Sequence, residues 1–158
     1  MANTYKSAQV SSGLVRGNWR GSDFTVYGEI TAAEAALGDV FQLVQVPNGY
    51  RVIEVILDCD QLDSNVTPTL SLEVGDSGAA GLYITGSTVG RTGGVQFQNV
   101  AGSTGYHYAL AQGGQFAGGN AGATVIQAQV TAAAATFAAG KIRLAARCFL
   151  DSTTGEYA

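Results

Sequence analysis

Alternation with period two runs through most of this chain and constrains its fold more than any other feature. In 24–31, Phe24, Val26, Gly28 and Ile30 alternate with Thr25, Tyr27, Glu29 and Thr31, the pattern of a strand with one buried face. The same alternation sets Leu70, Leu72 and Val74 opposite Thr69, Ser71 and Glu73, and Ile142, Leu144, Ala146, Cys148 and Leu150 opposite Lys141, Arg143 and Arg147. Residues 50–59 put Ile53, Val55, Leu57 and Cys59 on one side, and 124–130 put Ile126, Ala128 and Val130 on one side. Apolar runs at 40–46 and 82–85, with weaker candidates at 95–99 and 106–110, bring the expectation to eight or nine short strands. Such a series, joined by glycine-bearing turns, predicts an all-β antiparallel sandwich. Its predicted core is Phe24, Val26, Ile30, Ile53, Val55, Leu57, Leu70, Leu72, Val74, Ile126, Val130, Ile142, Leu144 and Cys148.

Two segments break the pattern. Thr31 to Glu34 has capping-box spacing, Ala35, Ala36 and Leu37 favour helix, and Gly38 can close it in the left-handed conformation, so one or two helical turns are expected there. The alanine-rich 132–139 reads as a hairpin connection, since its neighbours are strands and it ends on Ala139-Gly140. Residues 77–122 hold 13 of the 22 glycines and read as long loops at one end of the sandwich. Residues 1–22 have no sustained period and read as an extended N-terminal arm, with the sandwich domain spanning 23–158.

Charge narrows the function classes. The net charge is −4 and the isoelectric point is near 4.7, the opposite of the basic footprint that nucleic acid requires. Apolar stretches are interrupted well before the ~20 residues that span a bilayer, and the N-terminus has no signal-peptide core, so synthesis in a cytoplasm and no membrane role are expected. Charge is also segregated along the chain. Ten of the 12 acids fall in 23–76, whereas 1–22 and 77–150 carry bases and no acid. Either the two signs mingle on the folded surface, or complementary fields draw in further copies or a partner.

Reactive chemistry is sparse. His107, between Tyr106 and Tyr108, is the one histidine and has no identifiable catalytic partner. One histidine and two distant cysteines do not give zinc spacing, and neither GxGxxG nor GxxxxGK[ST] occurs, so no catalytic residue and no cofactor are predicted. Cys59 and Cys148 fall on inward faces and read as buried thiols, the alternative being a disulfide between them, which no sign of an oxidising compartment favours. The sharpest constellation is Asp58, Asp60, Asp63 and Asn65, four oxygen-bearing side chains that could converge on calcium. The competing reading is a strand end whose Asp and Asn side chains cap turn amides. Trp19 and the seven tyrosines are scattered rather than gathered into a glycan platform.

Taken as a string, 46–76 contains Val46-Pro47-Asn48-Gly49-Tyr50-Arg51-Val52, Leu57-Asp58, Leu62-Asp63-Ser64-Asn65 and Thr67-Pro68-Thr69-Leu70-Ser71-Leu72-Glu73-Val74-Gly75-Asp76. Gly86-Ser87-Thr88-Val89-Gly90, Gly93-Gly94 and Ala138-Ala139-Gly140-Lys141-Ile142-Arg143-Leu144 continue it. Over roughly 40–150 the chain resembles the small β-sandwich structural proteins of tailed bacteriophages, in particular the capsid decoration or cement proteins. The resemblance implies a jelly-roll-like sandwich, usually trimeric, that sits on the outer capsid surface of the virion and bridges neighbouring major capsid protein subunits. The arm and the glycine-rich 101–122 depart from it. The alternative is a tail, tail-fibre or head-fibre component with host-glycan contact. Lys6, Arg16, Trp19 and Arg20 are the partner-binding candidates, in an arm that either orders on a partner or folds back on its own subunit as an extra strand.

Overall fold

The structure is a computed structural model and describes residues 2–12, 17–20, 23–46, 50–100 and 124–150. In chain order the elements are β1 (Thr4–Lys6), α1 (Ala8–Ser12), β2 (Gly17–Arg20), β3 (Asp23–Ala32), β4 (Val40–Val46), β5 (Tyr50–Cys59), β6 (Ser71–Gly75), β7 (Ile84–Ser87), β8 (Gly94–Phe97), β9 (Thr124–Ala132) and β10 (Gly140–Leu150). One 3₁₀ turn, Val89–Arg91, precedes β8. The expected strand at 106–110, with His107, lies outside the described residues.

The strands form two five-stranded sheets, ordered β1-β4-β9-β6-β7 and β2-β3-β10-β5-β8. Within them β3 pairs β10, β4 pairs β9, β5 pairs β8 and β6 pairs β7, all antiparallel. The chain from β3 to β10 is therefore a long hairpin, nested four pairs deep and rolled into two sheets, which is the jelly-roll topology. The antiparallel expectation fails at one edge, where β1 runs parallel to β4. Parallel strands need a long connection, and here α1, β2 and β3 all intervene.

The core forms where the alternation predicts. Every residue of that predicted core is buried except Ile53. Opposite β10, Glu54 pairs with Arg147 but Val52 pairs with Cys148, so Ile53 is the extra residue of a β-bulge. A bulge inverts the parity of the strand beyond it, and Val52 is buried in place of Ile53. On the same side Tyr50 meets Phe24 edge to face at 4.5 Å. A second bulge in β4 falls between Gln42 and Val44, burying both Leu43 and Val44. The displaced Leu43 carbonyl accepts the Ser7 hydroxyl at 2.6 Å, and it lies so near Gly28 of the opposite sheet that a Cβ there would come within 1.9 Å of it.

The predicted helix over 31–38 does not form. Thr31 and Ala32 continue the β3 ladder against Lys141 and Gly140, which removes the capping residue from any helix. Asp39 organises the turn instead, its carboxylate accepting the amides of Ala36 and Asn3, each at 2.8 Å. Gly38 does take the left-handed conformation, with φ +88°, and donates to the Val130 carbonyl. The predicted hairpin over 132–139 is also corrected: β9 and β10 lie in different sheets, so this segment is an arch between them. Local alternation marks strands but carries no information on which sheet receives each one.

The described parts of the arm lie along the sandwich of their own subunit. β1 follows β4, α1 crosses toward β3, and β2 pairs β3 with Trp19 in register with Phe24. Tyr5 stacks on Phe41 at 5.2 Å.

Candidate interaction face

The outer face of the β2-β3-β10-β5-β8 sheet carries an ordered display of side chains. Registers set Tyr27, Ala145, Ile56 and Phe97 side by side across β3, β10, β5 and β8. Tyr27 is 57% and Phe97 56% exposed, so the two ends of this apolar row stand in the open, with Ile56 and Ala145 half-buried between them. The next row is Glu29, Arg143, Asp58 and Val95. On the other side Arg147 lies between Thr25 and Glu54. At the far level Lys141 adjoins Asp60, whose amide donates to the Lys141 carbonyl and whose Oδ2 accepts the Lys141 amide at 2.9 Å. The central strand β10 is thus basic and β5 beside it acidic.

These charges hold one another. Arg143 Nη1 reaches Asp60 Oδ1 at 3.0 Å and Asp58 Oδ2 at 3.3 Å, and Lys141 Nζ reaches Glu29 at 3.0 Å. The Lys141 backbone amide and the Arg143 guanidinium hold the Asp60 carboxyl below the usual carboxylate range. Half-exposed pairs of this kind add little to stability because water screens them; their effect is to fix the orientation of charge on a flat surface. A groove of about 510 Å³ opens on this face, lined by Tyr27, Glu29, Asp58 and Arg143 and by Ser7 to Gln9 of the arm. Its charged groups are paired with each other.

The calcium candidates are not brought together. Asp58 and Asp60 stand on this face with Arg143, while Asp63 is buried beneath the arches. Asp63 Oδ2 accepts the amides of Thr69, Leu70 and Ala135 at 2.8, 3.1 and 3.0 Å, and Oδ1 those of Thr136 and Asn65 at 3.0 and 3.3 Å. Burial opposes its ionisation, but the four amides of Thr136, Ala135, Thr69 and Leu70 outweigh it and hold the carboxyl well below the usual range. Asn65 accepts the Thr67 amide at 2.8 Å and donates to the Thr136 hydroxyl at 2.9 Å. Asp63 thereby fastens the β5–β6 crossing to the β9–β10 arch. Among the described residues no group of three or more His, Cys, Asp or Glu side chains is placed to hold a metal ion.

Cys59 and Cys148 are both buried free thiols. Burial pushes the Cys59 thiol up to about 12, with Asp58 and Asp60 adding to the shift. In the arm, Lys6 is exposed on β1, and a hydrogen bond from the Tyr5 hydroxyl to Glu34 ties β1 to the β3–β4 turn. Trp19 and Arg20 lie on the edge strand β2; Arg16 is outside the described residues. The arm candidates are therefore spread over two sheet edges. Sequence reasoning missed the Tyr27–Phe97 row, since its members are up to 118 positions apart and only strand register unites them.

No known family profile matches the chain, and no curated protein does. Solved structures do. A chain of the capsid of Ralstonia phage GP4 aligns over 93% of this chain and 97% of its own length, with TM-score 0.74 and 26% identity. This is the fold of a phage capsid chain. A chain of the cyanophage Pam1 capsid asymmetric unit aligns over 85% and 86%, with TM-score 0.64 and 29% identity. The acid-stable capsid of Helicobacter pylori bacteriophage KHP30 contains a chain of like fold at TM-score 0.52 and 17% identity. The likeness is thus to chains of phage capsids, and for the first two it extends to sequence.

Proposed function

We propose that this protein is a structural component of a bacteriophage virion, a decoration protein that binds the outer surface of the capsid and bridges neighbouring major capsid subunits. The observation that carries the reading is the end-to-end match to the GP4 capsid chain, 93% of one and 97% of the other. The matched chain is about as long as this one, so the likeness covers nearly the whole of both. The surface supports the same reading: the charges of the groove are paired with each other, and sheet faces and edges suit many weak contacts repeated by symmetry.

In this account the protein assembles as a homotrimer and the N-terminal segment contributes to capsid contact through Lys6, Arg16, Trp19 and Arg20, with β1 and β2 forming one edge of each sheet. Because β1 and β2 also complete their own subunit's sheets, point substitutions test this better than removal of the segment. Purified protein added to particles lacking it should co-sediment with them, and Lys6→Glu/Arg20→Glu should fold and assemble normally yet bind several-fold more weakly. Light scattering should give three times the 16.2 kDa chain mass or a multiple of that. Absence of co-sedimentation at saturating protein contradicts the capsid role and favours a tail or fibre position.

A further inference from the structure

We infer that the outer face of the β2-β3-β10-β5-β8 sheet is a contact between two copies of this chain, packed face to face about a two-fold axis parallel to the strands and lying between β10 and β5. This goes beyond the capsid role and stands or falls independently of it. Such an axis reverses strand order while keeping each level opposite itself, so β10 meets β5 of the second copy and β3 meets β8.

The registers make the face complementary to itself under that operation. At the apolar level Tyr27 meets Phe97 and Ala145 meets Ile56, a large ring against a ring and a small side chain against a branched one. At the level beside it Arg143 meets Asp58, and on the other side Arg147 meets Glu54. At the far level Lys141 meets Asp60. Each base of β10 gains a further carboxylate across the interface, so the contacts within one subunit become networks shared by two. At these levels the rim pair of Glu29 and Val95 lacks a complementary match.

The alternative two-fold, running along the rows, fails on the same residues. It lays β10 on β10 and β5 on β5 in reversed direction, placing Arg143 over Arg147 and Asp58 over Glu54, and like charges in contact are repulsive. Charge pattern therefore selects one axis. An isologous interface requires a patch complementary to its own rotated image, and a contiguous apolar row rimmed by charge has the anatomy of such a contact. A second copy satisfies this match level by level, with the same oppositely charged neighbours that pair within each sheet.

The experiment is a crosslink with a geometric control. Tyr27→Cys and Phe97→Cys proteins are prepared separately, and a short bis-maleimide is added to each alone and to their mixture. Within one chain the two positions are three strands apart, ~14 Å at the usual strand spacing, and the native thiols are buried. The mixture should yield covalent dimer several-fold more efficiently than either variant alone. Equal crosslinking by Tyr27→Cys alone indicates the rejected axis, and no crosslinking in any sample removes the contact; either overturns the inference. As a second measurement, Tyr27→Glu/Phe97→Glu alters two exposed side chains, and its native thermal transition should be retained while its mass by light scattering falls to half that of the parent. Unchanged mass with weakened binding to capsids assigns the face to the capsid and also overturns the inference.

Discussion

Gly28→Ala tests the packing of the two sheets at their closest approach. A glycine-to-alanine change in a strand ordinarily stabilises by ~0.5–1 kcal/mol, since alanine has less backbone freedom to lose. Here the sign reverses. The new Cβ would stand 1.9 Å from the Leu43 carbonyl oxygen and 2.8 Å from its carbon, and real Cβ atoms stay beyond 3.0 Å. The obstacle is backbone, so β3 and the β4 bulge must separate by at least 1.1 Å. That movement also stretches the 2.6 Å hydrogen bond from Ser7, which links the arm to the bulge. Overpacking of a tight core costs ~1–3 kcal/mol, and an immovable carbonyl places this site at the upper end. For a chain of this length each kcal/mol lowers Tm by about 2–4 °C, so a fall of about 6–12 °C is expected. Differential scanning calorimetry of parent and variant at one protein concentration measures it. A Tm equal to or above that of the parent refutes the close approach of β3 and β4.

Leu144, 1% exposed in the central strand β10, should cost ~2–5 kcal/mol on truncation to alanine, read as a shift in the denaturant midpoint with unchanged slope. The Asp63 carboxyl titrates below its unfolded value, so its contribution is full above about pH 4 and is lost as pH falls toward its native pKa. Asp63→Asn should lower stability at pH 7 and flatten the acid limb of the stability curve; an acid limb identical to the parent's contradicts the amide cage. Cys59, raised to about 12, should resist a thiol reagent at pH 8 until the protein unfolds, and its contribution to stability should decline as pH rises above about 8.5. Stoichiometric labelling of the native protein at pH 8 contradicts its burial.

Period-two alternation makes the strands and nearly all of the core legible in the amino-acid sequence, because burial of one sheet face acts directly on residue type. Ile53 escapes that logic because a bulge is set by cross-strand pairing with Arg147 and Cys148, not by its own neighbours. The helix expected at 31–38 has sound local signals, but Thr31 and Ala32 gain ladder hydrogen bonds to β10 that a cap cannot match. Asp63 is visible as an acid in a turn, and the turn-capping reading describes what it does. Its reach to Ala135 and Thr136, more than 70 positions away, leaves no local signal. The interaction face is least legible of all: Tyr27, Ile56, Phe97 and Ala145 belong to four strands, and only the nested pairing of the roll makes them neighbours.

The central claim is a structural place on the capsid, and a cryo-electron microscopy map of the intact virion tests it most directly. The account predicts density for the two five-stranded sheets on the outside of the shell, in contact with more than one major capsid subunit. Density for this sandwich confined to the tail or fibres, with a bare outer shell, would contradict it.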